Sequence, residues 1–360
     1  MLIKGFITAF LFSAFIYFEH FGFTNIPLNT IFIIIAYILI ITIDKKSLFF
    51  AGFFTGIFWF WWVSMSFRYY ELTYLIPLIV LLFGIVYGVL FYLSAIINKI
   101  YVRAILFYCL TFIEPFGFNW FKPDLPLINT YFNTYNSNID EPNLKIFIPQ
   151  YDTPQELKWK KSYIPKLIEK NLKNIDMAID NGYEVVILPE TTFPIALNKH
   201  KELIGYLKEK SKKITIVLGA LSYQNGNYLN STFIFQNSQY KIANKVVLVP
   251  FGEAIPLPKF LADFINNNFF NGANDYISAT KPTTFKIKNY KFRNAICYEA
   301  TSDEIYKNLD TNYIIAISNN SWFTPSIEPT LQKLLLRYYA KKYKVIIYHS
   351  SNGSANEIIK

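Results

Sequence analysis

The first third of the chain is a series of long apolar stretches separated by short polar ones. A transmembrane helix needs about 20 consecutive apolar residues to cross the hydrocarbon core of a bilayer. Three stretches contain no charged residue, and two weaker ones carry one or two. The pattern predicts about five transmembrane helices: Met1–Phe18, Ile26–Ile43, Leu48–Phe67, Leu72–Asn98 and Arg103–Trp120.

The basic residues between these stretches predict an orientation. Lysine and arginine close to membrane spans favour the cytoplasmic side. With the N-terminus inside, Lys45, Lys46, Lys99 and Arg103 fall in cytoplasmic loops. The first stretch has bulky residues where a signal-peptide cleavage site would need small ones, so we interpret it as a retained helix. Five crossings then place everything after about residue 120 outside the cytoplasmic membrane, facing the periplasm.

From Asn143 onward the pattern changes to short β-rich runs alternating with charged, amphipathic segments. Apolar runs of four to eight residues bounded by turn residues are typical of strands, and the 3.6-residue period is typical of helices. The mixture predicts an α/β or α+β sandwich, built from LKIFIPQ (144–150), YIPKLIEKNLKNIDMAIDNG (163–182), EVVILPE (184–190), KELIGYLKEKSKK (201–213), ITIVLGALSY (214–223), STFIFQN (231–237), FKIKNYKFRNAICYE (285–299), NYIIAISNN (312–320), LQKLLLRYYAKKY (331–343) and VIIYHSS (345–351).

Composition supports this division. Of the 360 residues, 52% are hydrophobic and only 17% are charged, against roughly 25% charged in soluble domains. The net charge of +10 comes mainly from the second part of the chain, where no run interleaves basic and aromatic residues in the manner of a nucleic-acid site. We therefore expect no nucleic-acid partner. The predicted domains are a transmembrane bundle (1–120), a linker (121–143) and a catalytic domain (144–360).

The two cysteines invite different interpretations. Cys109 lies in an apolar stretch, where a cysteine is usually a small buried hydrophobe. Cys297 follows a predicted strand, and Glu190 ends another strand in the same way. None of the three histidines lies in a sequence context typical of a Cys–His pair. The alternative is a carboxylate base, with a lysine that stabilises the developing oxyanion. Each residue alone also has an ordinary structural explanation: a buried thiol, a charge at a helix N-terminus or a solvated lysine.

Several motifs together resemble the Glu–Lys–Cys signature of the nitrilase superfamily. Their order and context resemble, in particular, the apolipoprotein N-acyltransferase family. The resemblance covers nearly the whole chain and is strongest over 184–354. Its motifs are ILPETTFP (187–194), KVVLVPFGE (245–253), AICYE (295–299), SNNSWF (318–323) and SSNGS (350–354), behind a multi-span N-terminus.

The resemblance implies an αββα sandwich with a catalytic triad. It implies that Cys297 is the nucleophile, Glu190 the general base and Lys245 the oxyanion stabiliser. Glu253 matches a further glutamate that positions the thiol and the lysine. Beside the nucleophile, Glu299 and Tyr298 match supporting positions, and the Tyr298 backbone N–H would complete an oxyanion hole. A strand ending near Ala243 would leave Lys245 in a loop, close to the other two members.

The implied partners are a phospholipid acyl donor and a diacylglyceryl apolipoprotein acceptor. The family acylates the N-terminal cysteine of lipoproteins by a ping-pong reaction through a thioester. No cofactor or metal is implied, and the sequence shows no metal-ligand cluster. The Phe-rich segment 250–270 is a candidate lid or lipid-contacting arm, with ordinary packing on the sandwich as the alternative.

The chain departs from the family in length. Family members usually have further spans before the catalytic domain and a final span after it, so the resemblance implies a short form without the C-terminal span. Two other functions stay open. One is a membrane-anchored carbon–nitrogen hydrolase acting on a small amide or nitrile, and the other is a catalytically decayed membrane scaffold.

Overall fold

The computed structural model describes residues 1–131, 139–269 and 276–360, which fall into two compact units. The first, here the helical unit, contains most of the apolar N-terminal helices. The second, here the sheet unit, contains the strands. The helical unit comprises 1–135, 257–272 and 323–338, and the sheet unit comprises 136–256, 273–322 and 339–360.

The described residues form helices and strands in the following order. The helices are α1 (Leu2–His20), α2 (Ile26–Thr42), α3 (Lys45–Phe60), α4 (Ile76–Ser94), α5 (Ile100–Cys109), α6 (Leu125–Tyr131), α7 (Gln155–Lys158), α8 (Ile164–Asp180), α9 (Lys201–Lys210), α10 (Lys259–Phe269), α11 (Asp303–Tyr306) and α12 (Glu328–Tyr343). The strands are β1 (Ile146–Phe147), β2 (Val185–Ile187), β3 (Phe193–Ala196), β4 (Thr215–Gln224), β5 (Asn227–Gln236), β6 (Gln239–Asn244), β7 (Thr284–Ile287), β8 (Tyr290–Ile296), β9 (Tyr313–Asn319), β10 (Ile346–Asn352) and β11 (Glu357–Ile359).

Three helical segments of the described residues are long and apolar enough to cross a membrane. They are Leu2–His20, Lys45–Tyr70, in which α3 continues as a 3₁₀ helix, and Thr73–Ser94. The apolar segments Ile26–Thr42 and Ile100–Phe112 are shorter. The membrane character of the N-terminal region agrees with the prediction, but the count of about five spans is not confirmed.

The predicted span Arg103–Trp120 is not one helix. Helix α5 ends at Cys109, and only 3₁₀ turns at Leu110–Phe112 and Pro115–Gly117 follow. Proline disfavours helical backbone at the residue before it, and Phe116 has a φ of 55°. The prediction of a continuous helix through this proline was wrong.

Aromatic rings form the core of the helical unit. Trp59 is fully buried; it stacks on Phe12 with ring centroids 5.7 Å apart and donates a 3.1 Å hydrogen bond from Nε1 to Ser13 Oγ. Helices α3 and α4 approach each other closely at Gly52, where an added Cβ would lie 2.2 Å from the backbone oxygen of Tyr87. Small residues permit such close helix contacts in membrane proteins.

The sheet unit contains two sheets. In the first, the strand order is β1-β2-β4-β5-β6, with β3 also paired to β4. In the second, the order is β11-β10-β9-β8-β7. The strands β8, β9 and β10 are parallel, whereas β7 and β11 pair antiparallel at the two ends of that sheet.

Alternating side chains on β2 show how the layers are stacked. Val185 and Ile187 belong to a core between the two sheets that includes Ile296 and Ile315. Val186 and Leu188 belong to a second core, shared with residues of α8 and α9. On α11 and α12, Tyr306, Tyr339 and Tyr343 stack with one another. The predicted mixed sandwich is confirmed.

Two predicted segments differ in detail from what the structure describes. The segment 121–143, predicted as a linker, contains α6, and its residues 132–138 lie outside the described part. The candidate arm 250–270 contains α10, on which Phe260 and Phe264 are 71% and 60% exposed; Phe270 lies outside the described residues. The domain boundaries at 120 and 143 and the role of the arm stay predictions.

Candidate active site

Glu190 lies on a tight turn just beyond the end of β2. Its side chain is buried, and the next residue, Thr191, has a φ of 45°. The turn rests on Gly219 of β4, where an added Cβ would lie 2.5 Å from the Thr191 backbone nitrogen and 2.6 Å from Glu190 Cα. Backbone strain of this kind persists only where the surroundings enforce it. Gly219 therefore provides the space that the Glu190 turn occupies.

Lys245 is the first residue after β6. The predicted loop position is confirmed, since the strand ends at Asn244 and the Lys245 backbone N–H donates to the Asn230 carbonyl at 2.9 Å. The side chain is only 1% exposed. Its Nζ lies 2.7 Å from Glu253 Oε2 and 3.8 Å from Glu190 Oε1. One buried ammonium thus faces two carboxylates.

The Asn230 side chain links these two carboxylates. Its Nδ2 donates to Glu190 Oε1 at 2.7 Å and to Glu253 Oε1 at 2.8 Å. Glu253 Oε2 also accepts from the Val249 N–H at 2.9 Å. Burial alone would lower the pKa of Lys245, but attraction to Glu253 and Glu190 raises it above its ordinary value. Lys245 is therefore a permanent cation in this cluster.

Cys297 stands where β8 passes into a 3₁₀ turn, Cys297–Thr301. It has a φ of 55°, and it is partly exposed between the buried residues Ile296 and Tyr298. A negative charge on Cys297 would add to the attraction that raises the pKa of Lys245. A sharp turn after a strand presents one side chain outward from an otherwise buried backbone. Such a turn can present a reactive side chain.

Glu299 connects the Cys297 turn to the Lys245 loop. Its Oε2 accepts from the backbone N–H groups of Val246 and Val247 at 2.6 and 3.1 Å, and its Oε1 accepts from Ile296 N–H at 2.8 Å. Burial raises the pKa of Glu299 to about 7, against the opposing effect of Lys245 and the three N–H donors. The carboxyl group fixes the backbone on both sides of the site.

Lys158, at the end of α7, is a member of the site that the sequence interpretation missed. It is 2% exposed, and its Nζ donates to the Glu190 backbone carbonyl at 2.9 Å. Burial lowers the pKa of Lys158 to about 7, although Glu190 and Cys297 attract its charge. The residue lies in the charged run ELKWKK (156–161), which is typical of a solvated surface.

Asn230 was missed as well, although a polar residue within the buried run of β5 is a usable signal. Of the predicted residues, the structure brings Glu190, Lys245 and Glu253 into direct contact with one another or with Asn230. Cys297 and Glu299 lie on the adjoining turn, and Tyr298 between them is 3% exposed. Within the described ranges, the histidine, cysteine and acidic side chains form no group suited to holding a metal ion.

Comparison with known sequences agrees with this geometry. Residues 150–345 match the family described as carbon-nitrogen hydrolase, and residues 1–151 match the apolipoprotein N-acyltransferase integral membrane domain. Among solved structures, the carbon-nitrogen hydrolase XC1258 from Xanthomonas campestris is 14% identical over 59% of this chain and 77% of its own, with a TM-score of 0.44. By the family match, residues 150–345 form a carbon-nitrogen hydrolase domain.

Similar proteins of known name identify the family within this class. The apolipoprotein N-acyltransferase of Wolinella succinogenes is 41% identical over 98% of this chain and 94% of its own length. Those of Helicobacter pylori and Campylobacter jejuni are 37% and 36% identical, over 88% and 99% of this chain and 83% and 89% of theirs. The chain belongs to the apolipoprotein N-acyltransferase family.

Proposed function

We propose that the protein moves a fatty acyl chain from a membrane phospholipid to the N-terminal α-amine of an S-diacylglyceryl-cysteine on apolipoproteins. The family membership supports an acyltransferase of lipoprotein maturation, and the apolar helices support a membrane location.

In the first half-reaction, Glu190 removes the proton from the Cys297 thiol. The sulfur attacks the carbonyl carbon of the phospholipid ester, and Lys245 stabilises the oxyanion that develops on the carbonyl oxygen. The ester C–O bond then breaks, and the proton held by Glu190 passes to the departing oxygen. A lysophospholipid leaves, and the acyl chain remains on Cys297 as a thioester.

In the second half-reaction, the α-amine of the diacylglyceryl-cysteine attacks the thioester carbonyl. Glu190 accepts a proton from the attacking nitrogen, the C–S bond breaks, and the proton returns to the Cys297 sulfur. The products are an amide and the original enzyme. Glu253 and Asn230 support both steps by holding Lys245 and Glu190 in place, while Glu299 fixes the loops on which Lys245, Cys297 and Tyr298 lie.

One observation carries the proposal: a buried Glu190–Lys245–Glu253 cluster adjoins a partly exposed cysteine with a left-handed backbone. A lysine between two carboxylates stays protonated and can stabilise an oxyanion, whereas a carboxylate near a thiol can act as its base. The apolar helices of the same chain support a lipid substrate over a small water-soluble amide.

Intact-mass analysis of the purified full-length protein tests the proposal. The protein is incubated with phosphatidylethanolamine–phosphatidylglycerol vesicles, and a synthetic diacylated lipopeptide is then added. We expect a fatty-acyl mass gain in the wild type that is discharged onto the peptide amine. The Cys297→Ala variant should gain no mass, and Cys109→Ala, which retains the proposed nucleophile, should behave as wild type.

The alternative functions give different results in this experiment. A carbon–nitrogen hydrolase would release ammonia from small amides without taking up an acyl chain. A decayed scaffold would do neither while remaining folded. A Cys297→Ala protein as active as the wild type would refute the thioester mechanism.

We propose further that the protein lies in the cytoplasmic membrane with its N-terminus inside and its sheet unit in the periplasm. The positions of Lys45, Lys46, Lys99 and Arg103 support this orientation. In a Cys109→Ala, Cys297→Ala background, a membrane-impermeant maleimide should label Lys241→Cys in intact spheroplasts and should not label Lys46→Cys. The reverse labelling would refute the orientation.

A further inference from the structure

Lys158 has no assigned role in the reaction above, yet it lies deep in the sheet unit. Within the described part of the chain, it forms no salt bridge, and the Glu190 carbonyl is the single hydrogen-bond acceptor that its Nζ reaches. A buried ammonium without a paired carboxylate is unfavourable. The chain therefore places a lysine, at a cost in stability, against the main chain of the proposed general base.

The segment that carries Lys158 is itself firmly held. Gln155, at the start of α7, accepts a 2.9 Å hydrogen bond from Asn319 Nδ2. Asn319 accepts in turn from Asn352 Nδ2 at 2.8 Å, and Asn352 Oδ1 accepts from Thr153 N–H at 2.7 Å. These bonds hold the chain at and just before the N-terminal end of α7, so the helix that carries Lys158 starts from a fixed position.

The Glu190 turn is fixed from several directions. Gly219 lies under it, with its N–H donating to the Pro189 carbonyl at 3.2 Å. Asn171 holds the other end, because its Nδ2 donates to the Thr192 carbonyl at 2.7 Å. Lys158 holds the carbonyl of Glu190 itself. A strained turn keeps its geometry only when such contacts are all present.

We propose that Lys158 is a positioning residue for acyl transfer, which holds the backbone of Glu190 so that its carboxylate stays aligned with Asn230, Lys245 and Cys297. The inference rests on the proposed function. Since Glu190 serves both half-reactions, loss of Lys158 slows acylation and deacylation together. Loss of a residue that bound only the acyl donor, or only the acyl acceptor, would slow only one of these two reactions.

The test compares Lys158→Met with Lys158→Arg and with Lys160→Met. Methionine keeps the length of the side chain and loses the donor, whereas arginine keeps a donor and the charge. Lys160 is exposed two residues further on and serves as the matched control. Rapid-quench intact-mass measurements give the rate of Cys297 acylation from vesicles and the rate of its discharge onto the lipopeptide.

We expect Lys158→Met to slow both rates by a similar factor of about 10–100, the range that small misplacements of catalytic groups produce. Lys158→Arg should restore part of both rates, and Lys160→Met should match the wild type. A folded Lys158→Met protein with wild-type rates, or with only one rate reduced, would overturn the inference. Thermal unfolding in detergent establishes folding, and Lys158→Leu, which also lacks a hydrogen-bond donor, replaces the methionine variant if that fails to fold.

A second measurement separates this inference from the proposed function. Iodoacetamide alkylates the Cys297 thiolate without any lipid, so its rate in a Cys109→Ala background reports the activated thiol alone. Suppose that the Cys109→Ala protein takes up no acyl chain. If Lys158→Met in that background is still alkylated more slowly than the Cys109→Ala protein itself, the role of Lys158 is supported and the acyltransferase mechanism is contradicted. Equal alkylation rates in both proteins would contradict the positioning role.

Discussion

Different interactions stabilise the interior of the helical unit and the interior of the sheet unit. In the helical unit, Trp59 packs against the aromatic rings of Phe12 and Phe121, which are both apolar. In the sheet unit, Lys245, Glu190 and Glu253 depend on one another for charge balance. Removing one member of a buried ionic group leaves an uncompensated charge, whereas trimming an apolar contact costs only packing. The two units should therefore respond differently to substitution.

Lys245→Met tests the charge network most severely. It leaves Glu190 and Glu253 buried without their cation, so we expect a loss of about 3–5 kcal/mol in the free energy of unfolding and no detectable acyl-enzyme. Lys241→Met, on the exposed face of β6, should change neither. Thermal unfolding and the intact-mass assay measure both effects, and retained acylation in Lys245→Met would contradict the oxyanion role.

Gly219→Ala tests whether the Glu190 turn needs the space beside Gly219. Its methyl group would lie 2.5–2.7 Å from backbone atoms of Pro189, Glu190 and Thr191, so the turn must move. We expect a fall of about 100-fold in the acylation rate and a loss of about 1–3 kcal/mol in stability. Gly205→Ala, in helix α9 with nothing within 4 Å, should be neutral or slightly stabilising. Equal behaviour of the two variants would refute the steric argument.

Gly52→Ala is the corresponding test in the helical unit. An added Cβ would lie 2.2 Å from the Tyr87 backbone oxygen, whereas at Gly84 it would meet only the side chains of Phe53 and Ile57. We expect Gly52→Ala to lose about 1–3 kcal/mol and Gly84→Ala to lose less, because side chains can move aside. The acylation rate of the folded fraction should change little. A large rate effect at Gly52 would show that packing in the helical unit controls the chemistry.

The pH dependence of stability provides the most specific test. The pKa of Glu299 rises from 4.5 to about 7 because of burial, so the folded protein binds this proton more tightly than the unfolded chain does. Its contribution to stability is full below about pH 4.5 and is lost as the pH rises to about 7. Relative to Glu299→Gln, the wild type should lose stability across this range. A parallel pH profile for the two proteins would contradict the shifted pKa, and Glu202→Gln is the exposed control.

The strand pattern and the motifs predicted much of the sheet unit, because both are local. Apolar runs ending close to Glu190 and Cys297 mark strand ends. The position of Lys245 just after β6 followed instead from the resemblance, because a strand over VVLVP would have placed the lysine away from the other two residues. The break at Pro115 was available from the sequence and was overlooked. It shows that hydropathy alone overestimates helix length.

Other features could not be predicted locally. Lys158 is buried through a contact with a residue 32 positions away, and nothing in the run ELKWKK distinguishes it from its solvated neighbours. The grouping of residues 323–338 with the N-terminal helices likewise depends on long-range packing. A lysine is recognised as part of a site only when the chain that surrounds it is known.

The exposure of Cys297 between two buried neighbours has a consequence for inhibitor design. Because both neighbours of Cys297 are buried, an electrophile must reach the sulfur from the exposed side of the turn, and under the proposed mechanism the substrate carbonyl uses the same approach. Under the proposed mechanism, a covalent inhibitor of Cys297 would therefore compete with the acyl donor for this approach. Cys109, expected from the sequence to be a buried hydrophobe, is instead exposed at the end of α5. Selectivity for Cys297 would therefore come from fitting the exposed side of its turn.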